Sequence, residues 1–170
     1  MRILVAVAAV TIALTACPPS GEPPASPTPA AEPTVPALHP SVDGYPEAIL
    51  ALGPGNDDVR EVIAVKVADT PQRRAHGLME VATLPAATGM LFEYTEDVDG
   101  AFWMKDTLVP LDIAFIAADG EVLAVLAMTP CSADPCDLYD PGVTHRSALE
   151  VARGWFDDVG LTEGWRISRR

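Results

Sequence analysis

The chain has 170 residues, and its 24 acidic against 11 basic side chains give a formal net charge of −13. A chain this acidic is repelled by phosphate backbones and anionic lipid surfaces, which argues against nucleic acid as a partner and against membrane binding by charge. What lies beyond the first 44 residues is the size of one ordinary domain with a single core.

The N-terminus reads MRILVAVAAVTIALTAC, with Arg2 ahead of an apolar run from Ile3 to Leu14. That run is too short to span a bilayer as a stable helix but has the length and flanks of a secretory signal. Thr15 and Ala16 directly before Cys17 resemble the lipobox of bacterial lipoproteins, in which the cysteine is acylated and becomes the new first residue. Residues 1–16 are therefore expected to be a signal peptide and Cys17 the lipid attachment point, the competing outcome being a cut near Ala16 that leaves Cys17 a free thiol. More than one acyl chain on Cys17 would hold the protein stably at a membrane. The expected address is the cell envelope, after export.

From Pro18 to Pro40, nine of 23 residues are proline. Such a segment has too little apolar surface to offset its ordering entropy, so residues 17–44 read as a lipidated, disordered tether reaching at most about 70 Å. A proline-rich recognition motif would need a basic or aromatic signature that the segment lacks.

Residues 45–170 are expected to form one globular domain. Glu61 to Asp69 alternates, with Ile63, Val65 and Val67 on one face, and reads as a strand. Thr70 as N-cap, Pro71 in the first turn and Gly77 as a stop predict a short helix. GMLFEY, starting at Gly89, reads as a second strand ending in an acidic turn, Glu93 to Gly100, that lacks the calcium-loop pattern.

Asp119-Gly120 between two apolar runs predicts a two-residue hairpin turn. The register then pairs Leu111 with Met128, Asp112 with Ala127, Ile113 with Leu126, Ala114 with Val125, Phe115 with Ala124, Ile116 with Leu123 and Ala118 with Glu121. Both faces are apolar, which places the hairpin centrally in the fold. SALEVARG reads as another strand, WFDDVG as a short helix stopped by Gly160, and GWRIS as a last strand. Many short strands with close turns and one or two short helices predict a mainly β (α+β) domain, a compact antiparallel β-sandwich or partly open barrel.

Three cysteines are an awkward number for an exported protein, but assigning Cys17 to lipid leaves Cys131 and Cys136. An even remainder in an oxidising compartment reads as a disulfide. The four-residue spacing fits neither redox nor zinc motifs, and so small a loop should add only about 2 kcal/mol. Catalysis or metal binding by the pair stays open at this point.

VADTPQRRAHGLM, GMLFEY, FWMKDTLVPLDIAFIAADGEV, CSADPC and LEVARGWFDDVGLTEGWRI occur in the order seen in the bacterial and archaeal family called domain of unknown function 192. The chain resembles that family over about residues 60–168. The resemblance implies a compact β-rich domain, often exported, and no activity that transfers residue by residue. The chain departs from the family pattern at Val81, Asp106 and Trp165, where arginine, asparagine and aspartate are usual.

The segment AFWMKDTLVPLDIAF carries the candidate site. It holds Lys105, one of only two lysines, with Asp106 and Asp112 in an apolar run beside Trp103. Alternation places Phe102 and Met104 on one face and Trp103 and Lys105 on the other, and a tight 106–110 loop would bring Asp112 onto the face of Lys105. Two readings follow: a structural Lys105–Asp112 ion pair packed by Trp103, or a shallow pocket in which Trp103, Lys105, Asp106 and Asp112 orient a small polar ligand.

Three functions fit these residues. The first is a lipid-anchored envelope binding or accessory domain without catalysis or cofactor, its partner a small polar ligand or another envelope protein. The second is a small hydrolase-like enzyme using Asp106 or Asp112 as base and Lys105 as electrostatic stabiliser. The third is a copper(I) binder built on His76, Met79 and Met104, with Met90 near in sequence, because thioether and imidazole suit a soft metal. Core packing of the methionines is the plainer reading. His39, in the tether, and His145, in a loop, receive no role.

Overall fold

The computed structural model describes residues 33–55 and 57–170. The signal peptide, Cys17 and most of the tether lie outside the described residues.

Among the described residues, nine strands and two short α-helices follow in chain order: β1 Glu47–Gly53, β2 Glu61–Ala68, α1 Pro71–His76, β3 Thr88–Val98, β4 Phe102–Trp103, β5 Leu111–Ile116, β6 Val122–Met128, β7 Leu138–Tyr139, β8 His145–Ala152, α2 Trp155–Val159 and β9 Arg166–Arg169. Seven strands form one curled half-barrel sheet in the order β6-β5-β8-β3-β2-β1-β9, and β4 pairs with β7 in a separate ribbon. All neighbours are antiparallel except β2 and β3, which are parallel. A parallel pair needs a crossover, and α1 with residues 77–87 supplies it. The two edges meet at one end, where Glu121 bridges Arg166 and the Val122 N–H donates to the Trp165 carbonyl at 2.8 Å.

The sheet separates two cores. Leu50, Ile63, Val65, Leu91, Ala114 and Leu149 face inward and are covered by Trp155 and Phe156 of α2. Met90, Phe92, Leu111, Ile113, Phe115 and Met128 face the other way, under Leu78, Val81 and Met104. Period-two alternation on β5 supplies both, which is why all six of its residues are buried.

The helix α1 has the expected punctuation. The Thr70 hydroxyl accepts from the Arg73 N–H at 3.3 Å, Pro71 opens the helix, and Gly77 closes it at φ +54°. A side chain on Gly77 would also crowd the Phe92 ring, 3.2 Å away. Gly160 stops α2 in the left-handed conformation, φ +74°.

Just ahead of the expected domain start at residue 45, Val42 is fully buried and Leu38 packs against the same core, around a 3-10 turn at Pro40–Val42. Several expectations need correction. The acidic turn is strand up to Val98, since β3 continues past a register break between Glu93 and Val98 to pair Val98 with His145. His145 is accordingly the first residue of β8 and not a loop residue.

The hairpin register holds from Leu111 to Phe115, but Ile116 faces Val122, so Leu123 is an extra residue in a bulge. The turn is longer than two residues: the Gly120 N–H donates to the Ala117 carbonyl at 3.0 Å and the Ala117 N–H to the Glu121 carbonyl at 2.8 Å. Finally, only β5 is central; β6 is the end strand of the seven and its outer residues are partly exposed.

Candidate functional site

The ribbon of β4 and β7 lies over the outer core. Phe102 points inward, edge-on to Phe92 at 5.0 Å and Phe115 at 5.6 Å, and Met104 follows it into the core. Alternation turns Trp103 outward, where it is 47% exposed opposite Leu138, itself 69% exposed. Beyond the ribbon, the backbone of 104–106 is zipped to the disulfide loop: the Asp106 N–H donates to the Cys131 carbonyl at 3.0 Å and the Cys131 N–H to the Met104 carbonyl at 3.1 Å. Cys131 and Cys136 are joined, as the cysteine arithmetic indicates. The loop they close carries Asp134, whose carboxylate takes the Lys105 ammonium at 2.5 Å. That hydrogen bond and charge hold the Lys105 pKa above its ordinary value. The ammonium also lies 5.9 Å from the centre of the Trp103 ring.

Beside this zipper opens a cavity of about 400 Å³, lined by Glu80, Asp106, Thr107, Leu108, Pro130, Cys131 and Ser132. Glu80 and Asp106 are two of three non-glycine residues with positive φ among the described residues, at +65° and +53°. The Glu80 N–H donates to the Asp106 carbonyl at 3.0 Å, so the two conformations are locked together. Each such residue costs on the order of 1–3 kcal/mol, more for glutamate than for aspartate, and persists only where its surroundings over-determine it. Chemically, two carboxylates, two hydroxyls and the apolar Leu108 and Pro130 could accept hydrogen bonds from a small ligand while packing against its apolar part.

Of the four predicted ligand-binding residues, only Asp106 lines this cavity; Lys105 and Trp103 lie near each other just before it in the chain, and Asp112 is left out. Leu111 and Ile113 face the core that contains Met104, so Asp112 between them points to the opposite side of the sheet. There it is buried, accepts from the Gly154 N–H at 2.6 Å and pairs with Arg153 Nε at 2.9 Å. Burial raises its pKa; the Gly154 hydrogen bond and the Arg153 charge oppose the rise. The expected Lys105–Asp112 pair does not form. Period-two alternation assigns faces within one sheet, and β4 belongs to a different sheet from β5.

The copper(I) candidates are placed apart from this cavity's lining. Met104 and Met90 fill the outer core, His76 ends α1 with a buried Nε2 that lacks a partner among the described residues, and Met79 is partly buried. Among the described residues no group of three or more His, Cys, Asp or Glu is placed to hold a metal ion.

Sequence reasoning missed the most unusual polar groups. Glu150 is 4% exposed, sits in register between Met90 of β3 and Ile113 of β5, and has no ion pair among the described residues. Burial pushes its pKa up to about 8. The signal was available: Glu150 interrupts SALEVARG as Asp112 interrupts PLDIAF. His145, 1% exposed, is edge-on to Phe115 at 5.0 Å and Tyr94 at 5.8 Å, and burial lowers its pKa.

Five solved chains resemble this one, two of them as follows. A protein of unknown function from Novosphingobium aromaticivorans is 27% identical, with a TM-score of 0.70 over 84% of this chain and 99% of that one. A protein from Sinorhizobium meliloti, described as a candidate transcription regulator, is 28% identical, with a TM-score of 0.68 over 74% of this chain and 95% of that one. No curated protein matches. The family described as Uncharacterized ACR, COG1430 (DUF192) matches residues 54–169, and with its β-rich half-barrel over the same span the chain belongs to that family.

Proposed function

We propose that this protein is a lipid-anchored binding domain of the cell envelope, held to the membrane through Cys17 and presenting the cavity beside its disulfide loop to a small polar ligand. The observation that carries the reading is the placement of Glu80 and Asp106, two interlocked left-handed residues, on the wall of one cavity next to Lys105 and Trp103. Strain of this kind concentrates at ligand clamps, and the disulfide loop holds the opposite wall fixed. Binding is better supported than hydrolysis, because Asp112 is committed to Arg153 and Gly154, and Lys105 to Asp134. Copper(I) binding draws less support, since Met104 packs as core. The regulator description of the Sinorhizobium meliloti relative finds no support here in a net charge of −13.

Two measurements test this. Radiolabelled fatty acid should enter the wild-type chain and not Cys17→Ala; release of unlabelled, intact protein into the medium would remove the anchor from the proposal. For the cavity, envelope metabolites and glycans are screened against a Trp155→Phe, Trp165→Phe chain by thermal shift and Trp103 fluorescence. A hit should be lost in Asp106→Ala and Glu80→Ala. Hits that survive both substitutions would move the site elsewhere.

A further inference from the structure

We infer that the open mouth of the half-barrel is a second binding site, independent of the cavity beside the disulfide, and that it takes a small amphipathic carboxylate. The strands that wall the barrel separate at this end. The β3–β8 register breaks beyond Glu93 and Ser147, β5 ends at Ile116, and the space between them opens into a cavity of about 560 Å³. Its floor is apolar and belongs to the inner core: Leu50, Leu91, Ile116 and Ile167. Mouths of β-barrels with an apolar floor and few polar groups are recurrent ligand sites.

The rim decides the chemistry. Arg146 of β8 and Arg169 of β9 both line it. Arg169 spends Nε and Nη2 on Glu93, at 3.1 and 2.7 Å, and Arg146 spends Nε on Asp97 at 2.9 Å. A guanidinium carries five N–H donors, so Arg146 Nη1 and Nη2 and Arg169 Nη1 keep donors with no protein acceptor among the described residues. Ser147, on the same face of β8 as the inner-core Leu149, adds a side-chain hydroxyl that likewise shows no partner there. The carboxylates at the rim are already engaged: Glu93 by Arg169, Asp119 by Arg166 at 2.7 Å and Asp69 by Arg73 at 2.6 Å. The spare polar groups of the mouth that are cationic are thus guanidinium donors, and a carboxylate meets them with favourable planar geometry. An apolar body on that carboxylate would cover the floor.

The rim is also preformed, which lowers the cost of binding. The 117–120 turn is clamped to β9 by the Ile167 N–H donating to the Gly120 carbonyl at 2.8 Å. Gly120 has φ +90°, and a Cβ there would stand 2.5 Å from the Ile167 carbonyl oxygen, so only glycine allows this approach.

The test titrates hexanoate, hexan-1-ol and hexylamine into the full chain carrying Cys17→Ala, followed by amide chemical shifts. Hexanoate should move the resonances of residues 117–120, 146–147 and 167–169 at millimolar concentration. It should bind at least about tenfold more tightly than hexanol, with hexylamine weaker still. Arg146→Gln and Arg169→Gln should each weaken hexanoate about tenfold, and Asp106→Ala should leave it unchanged. Equal binding of acid and alcohol, shifts located elsewhere, or no shift in a folded chain would overturn the inference. If Arg169→Gln unfolds the protein through loss of its Glu93 pair, Arg146→Gln decides alone, because it removes only an exposed contact with Asp97.

Discussion

Glu150 makes the folded state sensitive to alkali in a way that can be isolated by one substitution. The carboxyl is buried without an ion pair among the described residues, and its pKa stands at about 8 against an ordinary 4.5. Between those values the folded protein keeps a proton that the unfolded chain has released. Unfolding then releases a proton, so stability falls as pH rises through this window, by about 1.4 kcal/mol per pH unit. From about pH 5 to about pH 8 the loss attributable to this group is roughly 3–4 kcal/mol, a large part of the total stability of a domain this size. Glu150→Gln keeps the shape and removes the titration. In urea denaturation followed by tryptophan fluorescence, the variant should lie within about 1 kcal/mol of wild type at pH 5 and be more stable by roughly 3 kcal/mol at pH 8. The difference between the two curves cancels every other titrating group. Parallel pH dependences, or a variant that is less stable at pH 8, would show that the carboxylate has a partner in the folded protein and refute the reasoning.

His145 should give the opposite slope. Its pKa is lowered from 6.5 by burial, so the unfolded chain binds the proton first and stability falls as pH drops below about 6.5; His145→Phe, packed on Phe115 and Tyr94, should remove that acid-side loss when melting is compared at pH 7 and pH 5. Asp112→Ala should cost about 3 kcal/mol in urea denaturation, because the Gly154 N–H loses its acceptor and Arg153 its counter-ion, whereas Asp112→Asn keeps an acceptor and should cost less. Lys105→Met should leave the urea midpoint nearly unchanged, since its pair with Asp134 is solvent-accessible; equal losses at Lys105 and Asp112 would revive the pairing the structure rejects. Replacing Cys131 and Cys136 by alanine should lower stability by about 2 kcal/mol with the sheet intact, and a collapse of the strand signal in circular dichroism would mean that the loop holds up more than the cavity wall.

Much of the local structure was legible because its causes are local. Thr70, Pro71 and Gly77 bracket α1 by capping and φ preference, and Gly160 ends α2 in the same way. The alternation of Leu111 to Phe115 fixes five register pairs with β6, since a slip of one residue would turn every apolar side chain over. The bulge at Leu123 escaped because it depends on the turn, which is shaped by β9 far along the sequence, through Gly120 against Ile167 and Arg166 on the Asp119 carbonyl. The extension of β3 through Glu93 to Val98 escaped because Thr95, Glu96 and Asp97 are polar and exposed, and pairing with β8 resumes only at Val98 after a register break. Of the four residues that the oddity of charge in an apolar run singled out, only Asp106 lines the cavity; Glu80, which lines it too, was not singled out, since an exposed glutamate carries no such mark.

By itself the sequence determined the mainly β class, the helix stops, the pairing of the last two cysteines and the facing of residues within each strand, all set by spacing, chain chemistry or backbone sterics over a few residues. Only the tertiary structure decided which charges meet: Lys105 with Asp134, Asp112 with Arg153, and Glu150 with none among the described residues. Coulomb attraction and desolvation act through space, and the distance between two side chains is fixed by strand order, by the division into two sheets and by which face each strand turns to the core.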